Sequence, residues 1–206
     1  MSKSEKLGRL FVFSGPSGVG KGTLLVRLLE GEKNMRFSIS ATTRKPRAAE
    51  IDRVNYFFIS KEDFEENIRR GMMLEWAEYN GNYYGTPRAV VENWLGGGYD
   101  VALDIEVEGA MQVKRAFPGA VLIFVLPPSM EILRKRLSSR GTEDENVIKK
   151  RMGIARKEIA AAPKYDYIIV NDEIDGSVEK LRVIMQAEKY RYLNMKKLIG
   201  ELIDHA

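Results

Sequence analysis

The residues most able to do chemistry form one run, Gly15-Pro16-Ser17-Gly18-Val19-Gly20-Lys21-Gly22-Thr23. It lies between the apolar Leu10-Phe11-Val12-Phe13 and the helically spaced Leu24-Leu25-Val26-Arg27-Leu28-Leu29. Glycines let the backbone curl until successive N–H groups point inward, a following helix adds the positive end of its dipole, and Lys21 can reach outer phosphates. The chemistry is anion binding. Strand, lysine and helix in register weigh against a mere glycine-rich turn. The residue after the lysine is Gly22, where serine or threonine usually offers a hydroxyl to magnesium. Thr23 follows one place later; either it serves the phosphates, or the metal is held mostly through water.

Further cations and carboxylates follow. Ala41-Thr42-Thr43-Arg44-Lys45-Pro46-Arg47 places two arginines on a segment whose proline discourages a helix. Two guanidiniums on an irregular loop suit a second, bidentate phosphate grip; the competing account is a solvated basic loop. Glu75, Glu78, Tyr83, Tyr84 and Thr86 then crowd a short stretch, dense for a connector. Val101-Ala102-Leu103-Asp104-Ile105-Glu106 ends in carboxylates, alternatively read as a capped strand end. Farther on, Ile132, Leu133 and Leu137 share one face of a segment whose Arg134, Arg136 and Arg140 lie elsewhere. A solvated basic face is the better account of Lys135, Lys149 and Lys150.

Positioning these groups takes strands and helices in alternation. Arg36-Phe37-Ser38-Ile39-Ser40 alternates apolar with polar and predicts a strand, as does Asn55-Tyr56-Phe57-Phe58-Ile59. Ser60-Lys61-Glu62-Asp63 has the form of a capping box opening a helix with Phe64, Ile68 and Met72. Residues 74–86 read as two strands joined at Asn80-Gly81, a hairpin. Pro87 opens a helix that ends at Gly96-Gly97-Gly98. Val121-Leu122-Ile123-Phe124-Val125-Leu126, stopped by two prolines, suits a central parallel strand. Helices follow from 130 to 139 and through Lys150, Arg151 and Arg156, then a strand at Tyr167-Ile168-Ile169-Val170-Asn171-Asp172. Residues 177–203 are helical in pattern.

Composition narrows the classes. The 206 residues suit one α/β domain with insertions, since domains usually run about 100–200 residues. Apolar residues at 44% and charged at 30% are ordinary for a globular protein. Cysteine is absent, which removes disulfides, thiolate metal sites and cysteine nucleophiles; the one histidine, His205, makes histidine-based catalysis and zinc sites poor expectations. A net charge of +4 is mild, and Lys and Arg alternate with Glu and Asp instead of forming a basic stripe, so nucleic-acid binding is not expected. No apolar stretch approaches the roughly 20 residues of a membrane span, and Met1-Ser2-Lys3-Ser4-Glu5-Lys6 leads into a strand. A cytoplasmic protein without membrane contact is expected; monomer and homo-oligomer both stay open.

Taken together, the nine-residue loop, Ser38-Ile39-Ser40-Ala41-Thr42-Thr43-Arg44-Lys45-Pro46-Arg47, Glu75-Trp76 and Gly81-Asn82-Tyr83-Tyr84-Gly85-Thr86 resemble guanylate kinase. The resemblance runs roughly from Gly8 to Asp175 and rests on several separate motifs. It implies that Gly15 to Thr23 holds ATP, with Asn171 near the adenine. It implies that Arg44 and Arg47, with Tyr56 and Tyr84, grip the GMP phosphate, and that Ser40, Glu75 and Thr86 contact the base. Guanine carries an N1–H and an N2 amino group side by side, so Glu75 can accept both while a hydroxyl donates to O6. Adenine has no N1–H there, and unpaired polar groups should reject it.

The resemblance also implies that Asp104 resembles the second Walker element, ordering Mg²⁺ or its waters together with Thr23. The family's second acid, often Asp, contacts the guanine amino group; this chain has Glu106, one methylene longer, and its role stays open. In nucleoside monophosphate kinases a two-helix flap swings arginines onto the phosphates, and Arg136, Arg140 and Arg151 match those positions.

The expectation is an α/β fold of the P-loop NTPase type, a parallel sheet flanked by helices. The core comprises 1–36, 88–126 and 157–206, with an inserted GMP-binding part at 37–87 and a helical lid at 127–156. The expected activity is transfer of the γ-phosphoryl of ATP to GMP, with Mg²⁺, and dGMP as a further candidate acceptor. Two rivals stand beside it. A non-catalytic guanylate-kinase-like binding module would carry a degraded phosphate loop, whereas Lys21 and the glycines are intact here. A different nucleoside monophosphate kinase is disfavoured by Ser40 with Glu75.

Overall fold

The computed structural model describes residues 7–138 and 145–204. Arg140 and His205 lie outside the described residues. Five parallel strands form the main sheet: β1 (Leu10–Ser14), β2 (Met35–Phe37), β7 (Asp100–Asp104), β8 (Val121–Leu126) and β9 (Tyr167–Val170), in the order β2-β7-β1-β8-β9. A parallel sheet covered on both faces wants near-continuous apolar strands, and every residue of β1 is buried. Alternate side chains serve opposite layers. Phe11 and Phe13 pack with Leu24, Leu28, Val178 and Leu181, while Leu10 and Val12 pack with Val91, Leu103, Val113 and Phe124. Each such side chain, fully buried, contributes about 1.5–3 kcal/mol.

The helices on these faces are α1 (Lys21–Gly31), α3 (Arg88–Gly96), α4 (Val107–Ala116) and α7 (Ile174–Glu188). A second sheet, order β4-β3-β6-β5, arises between β2 and α3 from β3 (Ala41–Thr42), β4 (Phe57–Phe58), β5 (Met73–Tyr79) and β6 (Asn82–Pro87). Helix α2 (Lys61–Arg69) closes it by burying Phe64 against Ala41 and Met73. Ser60 caps α2 by accepting from the Asp63 amide at 3.0 Å. Asn80 and Gly81 have φ of 50° and 74°, the two left-handed residues a tight hairpin turn demands. Helices α5 (Met130–Ser138) and α6 (Glu145–Ile159) share a small apolar cluster of Leu133, Leu137 and Ala155. No described helix is long and apolar enough to cross a membrane.

Three elements differ from the sequence reading. The strand expected over 36–40 ends at Phe37 as β2, and the next strand, β3, starts at Ala41 in the other sheet. Ser38 still donates its amide to Ala102 of the main sheet, but the Ser40 carbonyl accepts from Phe57 of the second, so the chain changes sheets between them. The strand expected over 55–59 shrinks to Phe57–Phe58, because Arg53 takes φ 61° in a turn closed by its amide on the Tyr56 carbonyl at 2.7 Å. The stretch 177–203, helical in pattern, is helical but divided, α7 being followed by α8 (Tyr192–Asp204). Between them buried Glu188 accepts from Tyr167 at 2.7 Å, and its carbonyl accepts from Asn194, so the backbone turns around a fixed point. The sequence reading assigns nothing to 107–116, where α4 lies.

Candidate active site

The loop between β1 and α1 is built around the helix N-terminus. Gly20 caps α1 at φ 96°, a left-handed value that a side chain rarely adopts, and a Cβ there would stand 2.8 Å from Asn171 Nδ2. The first turn of α1 holds no acidic residue, and no side chain caps it. Its N–H groups and positive dipole end are therefore offered to an external anion. Lys21 curls back over the loop, donating from Nζ to the Gly15 carbonyl at 2.7 Å, and stands 3.8 Å from Asp104 Oδ1. Asp104 ends β7 directly beside Phe13 of β1. Burial pushes its carboxyl above the usual range, and the Lys21 charge opposes that. Thr23 is exposed on the first turn of α1.

Two arginines of α5 and α6 reach this loop. Arg136 donates to the Val19 carbonyl at 3.0 Å and to the Asn171 carbonyl at 3.2 Å. Arg151 donates to Ser17 Oγ at 2.9 Å. Asn171, only 1% exposed, donates its own amide to Val19 O at 2.8 Å. It lies under the loop as a brace.

A cavity of about 260 Å³ begins at Asp104 and Glu106 and extends past Glu75 to Ser40, Tyr56 and Tyr84. Strand pairing sets its floor, since Glu75 of β5 lies opposite Thr86 of β6. The Thr86 hydroxyl donates to Glu75 Oε1 at 2.6 Å, and both residues are buried, at 1% and 5% exposure. Burial drives the Glu75 carboxyl above its ordinary range, Thr86 pulls it back, and the negative charge of Glu106 raises it further. Glu106 is not in a strand; it stands at the N-cap position of α4, its side chain making no cap bond. This end of the cavity is thus acceptor-rich.

Among the described residues the lining itself holds no cation, but Arg44 stands beside its other end, next to Tyr56. Arg44 lies over the rings of Tyr56 and Phe58, 5.4 and 5.9 Å from their centroids, and Glu50 grips it with two hydrogen bonds of 2.9 Å. Glu50 and, less strongly, Tyr84 hold the Arg44 guanidinium firmly charged, although partial burial opposes this. Tyr56 and Tyr84 meet edge to face at 6.2 Å. Arg47 is exposed nearby, its amide bonded to Glu50 at 2.8 Å. A ligand with N–H donors at one end and an anion at the other matches this polarity. A larger groove of about 510 Å³ between α1 and α7 is lined by Arg27, Glu30, Asp175, Glu179 and Arg182. Those charges pair with one another.

The fold therefore brings Ser40, Tyr56, Glu75, Tyr84, Asp104 and Glu106 around one cavity, with Thr86 behind Glu75 and Arg44 beside Tyr56. Arg136 and Asn171 are instead bonded to the backbone carbonyl of Val19, and Arg151 to the hydroxyl of Ser17. The sequence reading missed Glu50, Gly109 and Gln112. Glu50 carried a faint signal in lying three residues after Arg47; the other two belong to α4.

The family model described as guanylate kinase matches residues 7–188. A guanylate kinase of Desulfitobacterium hafniense (strain Y51) is 52% identical over 184 residues, 89% of this chain and 92% of the relative. One of Halalkalibacterium halodurans is 51% identical over 97% of this chain and 98% of its own length. The crystal structure of guanylate kinase from Anaplasma phagocytophilum superimposes with a TM-score of 0.73 at 34% identity, covering 91% of this chain and 89% of that one.

Proposed function

This chain belongs to the guanylate kinase family, and from that premise we propose how its residues divide the reaction. The enzyme transfers the γ-phosphoryl group of ATP to GMP, giving ADP and GDP. Residues Gly15 to Thr23 take the ATP phosphates; the uncapped start of α1 and the overhanging Lys21 support that assignment. Arg44 and Arg47, with Tyr56 and Tyr84, take the GMP phosphate. Glu75 accepts the N1–H and N2–H of guanine, Ser40 donates to O6, and Thr86 orients the Glu75 carboxylate. Glu106 lies within reach of the amino edge. dGMP fits the same assignment, since none of these groups is assigned to the ribose 2′-hydroxyl.

The observation carrying this reading is one cavity with buried Glu75 in its wall, Arg44 beside its Tyr56 end, and Asp104, 3.8 Å from Lys21, at the other. Attack by a GMP phosphate oxygen needs no protein base, because a phosphate monoester with a second pKa of about 6 is already largely deprotonated. Positioning and charge neutralisation remain as the protein's tasks; Lys21, Arg44, Arg140 and Arg151 are assigned to the phosphates, and Arg136 to holding the loop that cradles them.

The residues present fit Mg²⁺. The donors available are hard oxygens, the Asp104 carboxylate 3.8 Å from Lys21 and the hydroxyl of Thr23, exposed in the first turn of α1, and no group of three His, Cys, Asp or Glu stands ready to enclose an ion among the described residues. Such a site suits an ion that keeps several waters and takes its other ligands from phosphates. When bound, Mg²⁺ would neutralise charge on the transferring group. Residues 37–87 and the lid at 127–156 close toward each other on the core to bring the two nucleotides in line and exclude water.

A coupled assay with GMP, dGMP, AMP and UMP as acceptors tests the reading. Turnover with the guanine nucleotides alone is expected. Comparable turnover with AMP would remove Glu75 as the base reader.

A further inference from the structure

The Glu75 carboxylate is confined from more than one side. Thr86 holds Oε1, and β5 itself is pinned to α4 by Gln112. The Gln112 carboxamide accepts from the Trp76 amide at 3.1 Å and donates to the Trp76 carbonyl at 2.8 Å, standing in for a neighbouring strand one residue from Glu75. One turn earlier on α4 is Gly109. A Cβ there would lie 2.6 Å from Glu75 Oε2, 3.2 Å from Cδ and 3.5 Å from Cγ. The nearest of these is closer than van der Waals radii allow, and the atoms that must give way are the carboxylate itself.

Nothing in the backbone asks for glycine at 109, since its φ lies outside the left-handed region. Glycine inside a helix is also less favourable than alanine. What the missing side chain provides is a slot. Oε2 fills it, and with Oε1 held by Thr86 the carboxylate plane is set.

We propose that Gly109 and Gln112 are positioning residues for guanine specificity: Gln112 sets where β5 runs against α4, and Gly109 leaves the volume in which Glu75 holds its orientation. This rests on the reading that Glu75 accepts the two guanine donors. Adding one methyl must rotate or push out the carboxylate, so that at most one of those bonds keeps its geometry.

The test is a cycle of Gly109→Ala, Glu75→Ala and the double variant, with steady-state kinetics and melting temperature for each. Gly109→Ala is expected to raise the KM for GMP roughly tenfold to a hundredfold, as ångström-scale misplacement does, while the KM for ATP stays within about twofold. In the Glu75→Ala background the same substitution meets no carboxylate, so it is expected to change neither the GMP kinetics nor the melting temperature downward. Gln112→Ala is expected to raise the KM for GMP and, by stripping Trp76 of its partner, to lower the melting temperature as well. If Gly109→Ala leaves GMP use intact while Glu75→Ala cripples it, the positioning role falls and the base reading stands. If Glu75→Ala itself leaves GMP use intact, the base reading falls and takes this proposal with it. A Gly109→Ala chain that fails to fold supports the proposal only if the double variant folds; failure of both overturns it.

Discussion

Glu50 holds Arg44 by both ends of its guanidinium, Oε2 accepting from Nη1 and Oε1 from Nη2, each at 2.9 Å. The same carboxylate accepts the Arg47 amide at 2.8 Å, so it ties together the two arginines assigned to the acceptor phosphate. Nη1 is shared between Glu50 and the Lys45 carbonyl, and Tyr84 also faces the guanidinium. The pairing pre-orients the fork.

Glu50→Ala is accordingly expected to raise the KM for GMP severalfold and to leave the KM for ATP unchanged, because the cost of ordering Arg44 moves to the binding step. The sign decides the matter. A lower KM for GMP in steady-state assays would mean that Glu50 competes with the phosphate.

Lys21→Met is expected to lower kcat by roughly 10²–10³ without unfolding the protein. Among the described residues the ammonium bonds a loop carbonyl and stands beside Asp104, and its stem belongs to no core cluster. Circular dichroism with single-turnover rates checks both halves, and undiminished transfer in the folded variant would remove Lys21 from the chemistry.

Glu75 links function to pH and stability. Burial and the facing Glu106 place its carboxyl above the ordinary range, against the pull of Thr86, so the native state holds that proton more tightly than the unfolded chain. Stability from this group is therefore present below the ordinary carboxylate pKa and lost as pH rises through the raised one. At neutral pH the ionised group costs stability, and Glu75→Gln is expected to raise the melting temperature. The same substitution should weaken GMP use about 10- to 200-fold, since an amide accepts only one of the two guanine donors. In the unaltered enzyme, kcat/KM for GMP is expected to fall on acidification sooner than an ordinary glutamate would cause. A profile with that limb in both proteins would assign it elsewhere.

How far the sequence could be read depended on whether a signal was local. The loop, the Asn80-Gly81 turn, the Ser60 cap and the apolar β8 each declare themselves within a few residues, because backbone conformation or continuous burial dictates their composition. The break at Glu188 depends on Tyr167 of β9, and the change of sheet at 38–40 depends on Ala102 and Phe57, partners distant along the chain. Helix α4 stayed hidden because its close approach to Glu75 leaves a glycine as its third residue, which weakens the helical pattern. Arg136 has the right residue type for a phosphate clamp, yet in the fold its fork is turned to two backbone carbonyls.

That last geometry separates the two lid arginines. Arg136 spans Val19 O and Asn171 O, and Asn171 in turn holds Val19, so this guanidinium fastens the phosphate loop to the end of β9. Arg151 instead touches the Ser17 hydroxyl at the loop's mouth, a neutral partner that an incoming phosphate can replace with a stronger, charge-assisted bond. Arg136→Ala is therefore expected to raise the KM for ATP and lower the melting temperature, and Arg136→Lys to rescue little, because an ammonium lacks the planar fork that meets two carbonyls at once. Arg151→Ala is expected to lower kcat far more than it raises either KM, since the phosphate contact assigned to it would form in the closed, transition-state-like arrangement. Small-angle scattering with a bisubstrate analogue should show compaction on binding, undiminished in Arg151→Ala if the lid closes through its helices and the arginine acts only once there. Matching phenotypes for the two alanine variants, or unchanged dimensions with the analogue, would show that Arg136 and Arg151 do one job and that the lid does not close to do it.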